Sequence, residues 1–158
     1  MSLAYVALGA NLGDPVATVE AAFAALAGLP QSTLRGRSAL YRTAPVGIET
    51  QPEFVNAAAC LDTTLAPEAL LDALLAIEQD FGRVRAERNG PRTLDLDVLL
   101  YDEQVLDTPR LTLPHPRLHL RAFVLQPLAE LAPALRIPGR GTLAAWLPAV
   151  ANQGIRRL

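Results

Sequence analysis

The segment from Leu94 to Tyr101 constrains the fold most, because apolar residues alternate in it with two carboxylates. The alternation predicts a β-strand with one apolar face, made of Leu94, Leu96, Val98 and Leu100. The other face then carries Asp95, Asp97, Leu99 and Tyr101. Two carboxylates about 7 Å apart along a strand repel each other unless a cation, water or a partner lies between them. The segment therefore predicts a sheet with an acidic, wet or ligand-bound patch on one face.

A cluster of arginines precedes this strand: Arg83, Arg85, Arg88 and Arg92. Guanidinium groups match pairs of phosphate oxygens. Magnesium, in turn, binds through one or two carboxylates together with phosphate oxygens and water. The combination favours a site for a magnesium-bound phosphate compound. The alternative is a solvated loop that leads into the wet face of a half-buried strand, and the Asp-x-Asp pattern alone does not exclude it.

The composition is that of one globular domain spanning residues 1–158, since a chain of this length with 51% apolar residues can bury a substantial core. The net charge of −2 argues against a nucleic-acid or anionic-membrane surface. Cys60 is the sole cysteine, so no internal disulfide is possible, and its apolar neighbours predict a buried thiol. With no targeting or membrane-spanning pattern, we expect a cytoplasmic protein.

The order of predicted elements is β-α-β-β-α-β. Strands are predicted at 3–8, 33–42, 54–63 and 94–101, with one helix capped by Asp14 and another running from Pro67 to its stop at Gly82. This order predicts an α+β fold of the ferredoxin-like type, an antiparallel sheet with helices on its faces. Beyond it we expect an added hairpin, a helix at 121–131 and a last helix that Thr142 caps and that contains Trp146. His119 is expected at the surface, and the tail 154–158 shows no chemistry.

Several further residues are candidates for binding. Phe54 and Asn56 share one face of a strand, as an aromatic plate and an amide would beside a flat polar heterocycle. A core phenylalanine and a strand-end asparagine are the alternative. Glu78 near a helix C-terminus calls for a cation or ligand hydroxyl, or else for solvent. His115 is held between two prolines, and it either donates a hydrogen bond to a phosphate or is a simple loop histidine. The turn from Gly9 to Gly13 is interpreted as structural.

Five separated blocks resemble the 6-hydroxymethyl-7,8-dihydropterin pyrophosphokinases of folate biosynthesis. They occur in the family's order and cover nearly the whole chain. The blocks are Tyr5-Val-Ala-Leu-Gly-Ala-Asn-Leu-Gly13, Tyr41-Arg-Thr-Ala-Pro-Val-Gly47, Gln51-Pro-Glu-Phe-Val-Asn-Ala-Ala58, Gly90-Pro-Arg-Thr-Leu-Asp-Leu-Asp97, and Leu113-Pro-His-Pro116 with Arg121-Ala-Phe123.

The resemblance implies transfer of pyrophosphate from ATP to the hydroxymethyl group of the dihydropterin, with release of AMP. It implies two Mg²⁺ ions held by Asp95, Asp97 and the triphosphate. It places the phosphate clamp at Arg83, Arg85 and Arg92, with His115 and Arg121 opposite. The adenosine contacts carry over to Glu78, Val98, Arg110 and Thr112, and the pterin contacts to Thr43, Val46, Phe54, Asn56 and Phe123. It points to no general base, because the metals could lower the pKa of the hydroxyl.

Two positions depart from the family pattern. Asn89 stands where well-known members have a tryptophan in a lid loop that is here one residue shorter, and Leu75 replaces a glutamine that often touches the nucleotide. We expect the loops 43–52 and 82–92 to be mobile and to close over one edge of the sheet. We also expect a monomer with small-molecule substrates. The rival classes are a ferredoxin-like RNA-binding module, which 5% aromatic residues make weak, and a metal-dependent phosphohydrolase.

Overall fold

The computed structural model describes residues 1–43, 52–82 and 93–158. The first part of the chain forms β1 (Ser2–Ala10), α1 (Pro15–Ala27), β2 (Ser32–Arg37), β3 (Tyr41–Thr43), β4 (Phe54–Thr63), α2 (Pro67–Asp80) and β5 (Asp95–Tyr101). The rest forms β6 (Leu106–Asp107), β7 (Thr112–Leu113), α3 (Ala122–Leu131), β8 (Arg136–Ile137), β9 (Gly141–Thr142) and β10 (Ile155–Arg157). Single 3₁₀ turns lie at Leu118–Leu120, Leu143–Trp146 and Pro148–Val150.

One antiparallel sheet organises these elements. Its strand order is β10-β3-β4-β1-β5, with β2 also paired to β4. β4 is therefore central, β1 lies between β4 and β5, and β5 lies at the edge opposite β10. The order confirms the predicted ferredoxin-like α+β fold. The hairpin β6–β7 forms a separate two-stranded sheet, as does β8–β9.

Each face of the sheet carries its own apolar cluster. α1 and α2 cover the first face through residues such as Phe23, Leu26, Leu70 and Leu74. α3 covers the second face through Ala122, Val124, Leu125 and Leu128. Cys60 is buried, as predicted. No helix among the described residues is long and apolar enough to cross a membrane.

The helix boundaries that were predicted from neighbouring residues are confirmed at the start of α1 and the end of α2. Asp14 accepts a hydrogen bond from the N–H of Ala17 at 3.1 Å, and Pro15 begins α1. α2 ends at Asp80, and Gly82 follows in the left-handed region at φ +76°. A glycine takes that conformation without the steric cost of a Cβ, and so it terminates the helix.

The alternation predicted for the Asp-x-Asp strand is wrong at its end. Tyr5 pairs with Leu100 and Val6 pairs with Val98, so Leu99 is an extra residue in β5. This bulge moves Leu100 to the α3 face beside Leu99 and returns Tyr101 to the opposite cluster. Asp95 and Asp97 precede the bulge and keep the shared face predicted for them.

Three other predictions need correction. The strand predicted at 33–42 is interrupted between β2 and β3, where Ser38 bonds Ala58 through its N–H and its hydroxyl. The last predicted helix consists instead of two 3₁₀ turns separated before Pro148, because proline lacks an N–H and disfavours helical backbone in the preceding residue. His119 is buried, with its ring edge-on to Trp146 at a centroid distance of 4.8 Å.

Candidate active site

Cross-strand pairing assembles the site at one end of the sheet. Asn56 of β4 pairs with Gly9 of β1, and Gly9 pairs with Asp95 of β5, so the three residues form one row across the sheet. Phe54 lies two residues before Asn56 on β4, and Thr43 of β3 pairs with Phe54. Because neighbouring residues across strands and residues i and i+2 share a face, all these side chains lie on the face that α3 covers.

An amide and a hydroxyl form a fixed pair at one end of this row. The Thr43 hydroxyl donates to Oδ1 of Asn56 at 2.8 Å, and both residues are buried. Asn56 Nδ2 lies over Gly9, where a Cβ on Gly9 would approach it to 2.7 Å. The glycine thus leaves the space that the amide occupies, and the hydrogen bond from Thr43 fixes which way the amide faces.

Asn11 holds the segment that precedes β4 by a hydrogen bond, next to Thr43 and Asn56. Its side chain is buried, and its Nδ2 donates to the backbone oxygen of Pro52 at 3.0 Å, just before β4 begins. Asn11 therefore has a structural contact, and the interpretation of the whole turn as structural stays a prediction. Sequence reasoning missed Gly9 and Asn11 as site-building residues, although both belong to the Tyr5–Gly13 block.

The two carboxylates stand at the other end of the row. Asp95 and Asp97 are partly buried, and their cross-strand neighbours on β1 are Gly9 and Ala7. Carboxylate oxygens are the hard ligands that Mg²⁺ prefers. The donor set fits a magnesium ion whose remaining ligands come from phosphate and water.

His115 is held next to the carboxylates by the bulge in β5. Its backbone N–H donates to the carbonyl of Leu99 at 2.9 Å, on the side of β5 away from β1. Its Nδ1 accepts from the N–H of Arg117 at 3.2 Å, so Nε2 carries the proton of the neutral ring. Burial, with Arg121 nearby, lowers the pKa of His115 to about 4, and Asp95 offsets this only in part. At neutral pH the ring is therefore an uncharged donor through Nε2.

Arg121 and Phe123 lie at the start of α3. The Arg121 guanidinium lies over the Phe123 ring, with Cζ 5.3 Å from the ring centroid. Arg121 also acts electrostatically on His115, as Asp95 does, which places a cation, a neutral donor and a carboxylate in one neighbourhood. Phe123 is partly buried against the apolar cluster on the face that α3 covers, here called the α3-side cluster.

Glu78 is buried, contrary to the solvated alternative. Its Oε2 accepts from the N–H of Leu96 at 2.7 Å, so the carboxylate caps an outward-pointing backbone group of the edge strand. Val98, two residues further along β5, presents its backbone at the same edge. The Val98 side chain lies in the core on the α1 and α2 side, which leaves only its backbone for a ligand.

Arg110 and Thr112 lie on and beside the β6–β7 hairpin, and both are exposed. Arg110 forms ion pairs with Asp72 and, at 4.0 Å, with Glu68 on α2. The hydrogen bond from Arg110 to Asp72 raises the pKa of the guanidinium further. These exposed pairs orient the guanidinium but add little stability.

Several predicted residues lie outside the described part of the chain, namely Val46, Arg83, Arg85, Arg88, Asn89 and Arg92. The expected mobile loops 43–52 and 82–92 fall largely there as well. Of the predicted site residues that the structure describes, Thr43, Asn56, Asp95, Asp97 and His115 gather at one end of the sheet. Glu78 and Val98 lie along the β5 edge of the sheet.

Fold and site together define a ferredoxin-like α+β domain with an oxygen-rich acidic site at one end of its sheet. The chain belongs to the 7,8-dihydro-6-hydroxymethylpterin-pyrophosphokinase (HPPK) family, whose model matches residues 5–133. The family predicted from the five sequence blocks is therefore confirmed.

Full-length relatives agree with this assignment. The chain is 54% identical over 154 residues to the 2-amino-4-hydroxy-6-hydroxymethyldihydropteridine pyrophosphokinase of Pseudomonas aeruginosa, covering 98% of this chain and 95% of that protein. It is 46% identical over 158 residues to the enzyme of the same name from Methylorubrum extorquens, covering 100% of this chain and 99% of that one.

Solved structures support the fold. The crystal structure of Plasmodium falciparum HPPK-DHPS with pteroate superimposes with a TM-score of 0.75 over 94% of this chain at 12% sequence identity. This chain spans 42% of that longer protein. At such low identity the likeness establishes the architecture alone.

Proposed function

We propose that the row Asn56–Gly9–Asp95 is the floor on which this pyrophosphokinase brings its two substrates together. As a member of the family, the chain transfers pyrophosphate from ATP to the hydroxymethyl group of 6-hydroxymethyl-7,8-dihydropterin and releases AMP, a step of folate biosynthesis. The observation that carries the placement is the pairing register, which sets an amide and a carboxylate on one face two strands apart. That separation is about 10 Å between backbones, a distance a bicyclic substrate can bridge.

The pterin would bind at the Asn56 end of the floor. Its polar edge requires donors and acceptors, and the amide of Asn56 is oriented by Thr43 to offer them. Phe54 stands on the same sheet face and Phe123 lies at the first turn of α3 above it, so the two aromatic rings would enclose the heterocycle. Val46 belongs to the same predicted contact set.

Asp95 and Asp97 would bind the magnesium-loaded triphosphate at the other end. We propose two Mg²⁺ ions, which would neutralise phosphate charge and favour ionisation of the attacking hydroxyl. The residues' own task is to hold the hydroxyl oxygen and the β-phosphorus in line. Arg83, Arg85 and Arg92 would clamp the phosphates from one side, as the resemblance predicts.

His115 and Arg121 would contact the phosphates from the opposite side. The neutral His115 donates a hydrogen bond through Nε2 without giving up a proton, and Arg121 adds the positive charge. We find no need for either to act as a base. Their role is to stabilise charge that grows on the phosphate oxygens.

The nucleoside would lie along the side of β5 that faces away from β1. Val98 offers backbone groups there, while Glu78 keeps the edge strand in place through Leu96. Arg110, held by α2, and Thr112 stand on the hairpin beside this edge. A single domain acting as a cytoplasmic monomer, without nucleic-acid or membrane partners, completes the proposal.

The test is substitution of Asp97 by alanine, which removes one carboxylate and relieves its repulsion with Asp95. We expect turnover to fall on the order of 10²-fold or more while the protein stays folded. Glu103→Ala, in the exposed turn at the end of β5 opposite Asp95, is the control and should retain full activity.

Product analysis separates the proposal from a metal-dependent phosphohydrolase. The pyrophosphokinase yields AMP and a pyrophosphorylated pterin, whereas the phosphohydrolase yields ADP or free phosphate. Near-normal activity of Asp97→Ala at saturating magnesium would eliminate the metal role of Asp97.

A further inference from the structure

The space between Phe54 and Phe123 that would hold the pterin is here called the pterin slot. The C-terminal segment from Gln153 to Arg157, here called the C-terminal strap, contacts elements on both sides of this slot. Gln153 bonds the N-terminus of α3, and the last three residues form β10 on β3. We propose that the strap sets the spacing of the slot and that Gln153 is a positioning residue for Arg121 and Phe123. The inference rests on the proposed function, and it concerns a part of the chain beyond the matched residues 5–133.

One amide holds the backbone on both sides of Arg121. Gln153 Oε1 accepts from the N–H of Ala122 at 2.9 Å, and Gln153 Nε2 donates to the carbonyl of Leu120 at 3.0 Å. Arg121 is the N-cap residue of α3 but makes no capping bond with its own side chain. Gln153 therefore supplies the cap from a distant part of the chain and fixes the peptide groups before and after Arg121.

The other end of the strap is tied to the opposite wall. Ile155 pairs with Thr43 and Arg157 pairs with Tyr41, while the Ile155 side chain packs against the α3-side cluster. Only Gly154 separates Gln153 from Ile155, so about 7 Å of chain joins the two anchors. Thr43 and the start of α3 can therefore move apart only if one anchor is released.

Ion pairs along the strap reach further elements around the slot. Arg156 lies 3.6 Å from Glu53, the residue before Phe54. Arg157 lies 3.7 Å from Glu130 near the end of α3, and Glu130 also accepts from the Tyr41 hydroxyl at 2.7 Å. Exposed pairs of this kind stabilise a fold little, so their main effect is on relative orientation.

The strap should affect the pterin more than the nucleotide. The proposed aromatic walls belong to β4 and α3. The strap joins α3 to β3, and Thr43 of β3 pairs directly with Phe54 of β4. Asp95 and Asp97 instead lie on β5, at the sheet edge opposite β10. A ring stacked between two aromatic residues loses contact when the walls separate by a fraction of an ångström. The triphosphate would lose only the alignment of Arg121, whereas Asp95 and Asp97 stay in place, so its binding should weaken less.

The experiment is calorimetric titration of Gln153→Leu, which keeps the size of the side chain and removes both hydrogen bonds. We expect the Kd of 6-hydroxymethylpterin, measured with a saturating non-hydrolysable ATP analogue and magnesium, to rise roughly tenfold. The Kd of the analogue itself should change less than about threefold. Gln104→Leu, at an exposed turn, is the matched control and should change neither value.

Two outcomes would overturn the inference: unchanged pterin affinity in folded Gln153→Leu, or equal weakening of both ligands, which indicates general loosening. Asn56→Ala separates this failure from failure of the proposed function. If Asn56→Ala binds the pterin normally, the slot itself is misplaced. If Asn56→Ala loses affinity and Gln153→Leu does not, the slot stands and the strap has no positioning role.

Discussion

Gly9 is the residue at which the two halves of the site meet. Asn56 on one side and Asp95 on the other pair with it, and the Asn56 amide occupies the volume that a side chain would fill. We expect Gly9→Ala to displace that amide and raise the KM for the pterin about tenfold, because the lost contacts are those of one or two hydrogen bonds. The KM for ATP should stay within about twofold. Steady-state kinetics with each substrate varied in turn measures both values.

Gly36→Ala provides the control for this prediction. Gly36 is also a strand residue paired to β4, but a Cβ there would meet only the Leu131 side chain at an ordinary distance of 3.5 Å. A KM for the pterin that rises equally in both variants would show that strand glycines act through stability and not through Asn56.

His115 should make the free energy of unfolding depend on pH, and the direction of its pKa shift fixes the sign. Its folded pKa is about 4 against 6.5 in a model peptide, so between these values the unfolded chain binds the proton more strongly. The neutral ring therefore contributes stability above pH 6.5, and the contribution is lost as the pH falls from 6.5 to 4. His115→Asn keeps an acceptor for Arg117 but does not titrate. We expect a shallower fall in its unfolding free energy between pH 7 and pH 4.5.

Urea unfolding at a series of pH values measures this difference. Acid effects from carboxylates are common to both proteins, so only the difference between the curves reports His115. Parallel curves would mean that the folded ring titrates normally and is not the neutral donor that the geometry requires.

At the scale of elements, β5 shows where sequence periodicity is informative and where it fails. Alternation correctly placed Asp95 and Asp97 on one face, because the first residues of the strand are regularly paired. It failed at Leu100 and Tyr101, because the bulge at Leu99 depends on the partner strand and has no local signal. The same bulge presents the carbonyl that holds His115, so the irregularity is part of the site.

The C-terminal elements show the same limit. Helix caps such as Asp14 and Gly82 could be read from neighbouring residues, whereas β10 is a strand only because β3 lies beside it. His119 likewise is buried by Trp146, which is distant in the sequence. The amide of Asn56 could be predicted as a ligand group, but its orientation by Thr43 and Gly9 required the pairing register.

The segment 83–92, which lies outside the described residues, carries the next prediction. Its four arginines repel one another without an anion, and the triphosphate supplies one. If closure over the phosphates forms these contacts chiefly in the transition state, Arg83→Ala should lower kcat much more than it weakens ATP binding. Hydrogen exchange of 83–90 with and without the ATP analogue and pterin tests the closure.

Kinetics of Arg83→Ala tests the role itself. A variant that changes only the KM for ATP, or strong protection of 83–90 in the free enzyme, would indicate a rigid binding wall in place of a closing segment. Glu103→Ala again serves as the unaffected reference.

At the scale of the whole molecule, the site exists only when the sheet is complete. The residues of the proposed site come from β1, β3, β4, β5, the segment before α3 and α3 itself, and β1 lies between the proposed pterin end and the proposed metal end. Two apolar clusters, one on each face, pack against this sheet. Coupling between the two substrates therefore has to pass through groups that both of them touch.

This arrangement predicts that ATP binds first and that magnesium is required. Asp95 and Asp97 are the carboxylates at the proposed metal end, and phosphate oxygens would complete the coordination that two carboxylates begin. The bound triphosphate then forms the wall against which the hydroxymethyl group of the pterin rests. Calorimetric titration should show weak binding of hydroxymethylpterin to the free enzyme and clearly tighter binding when the ATP analogue and magnesium are present. Omitting magnesium should abolish the gain. Equal pterin affinity in all three states would show that the two ends of the row bind their ligands independently.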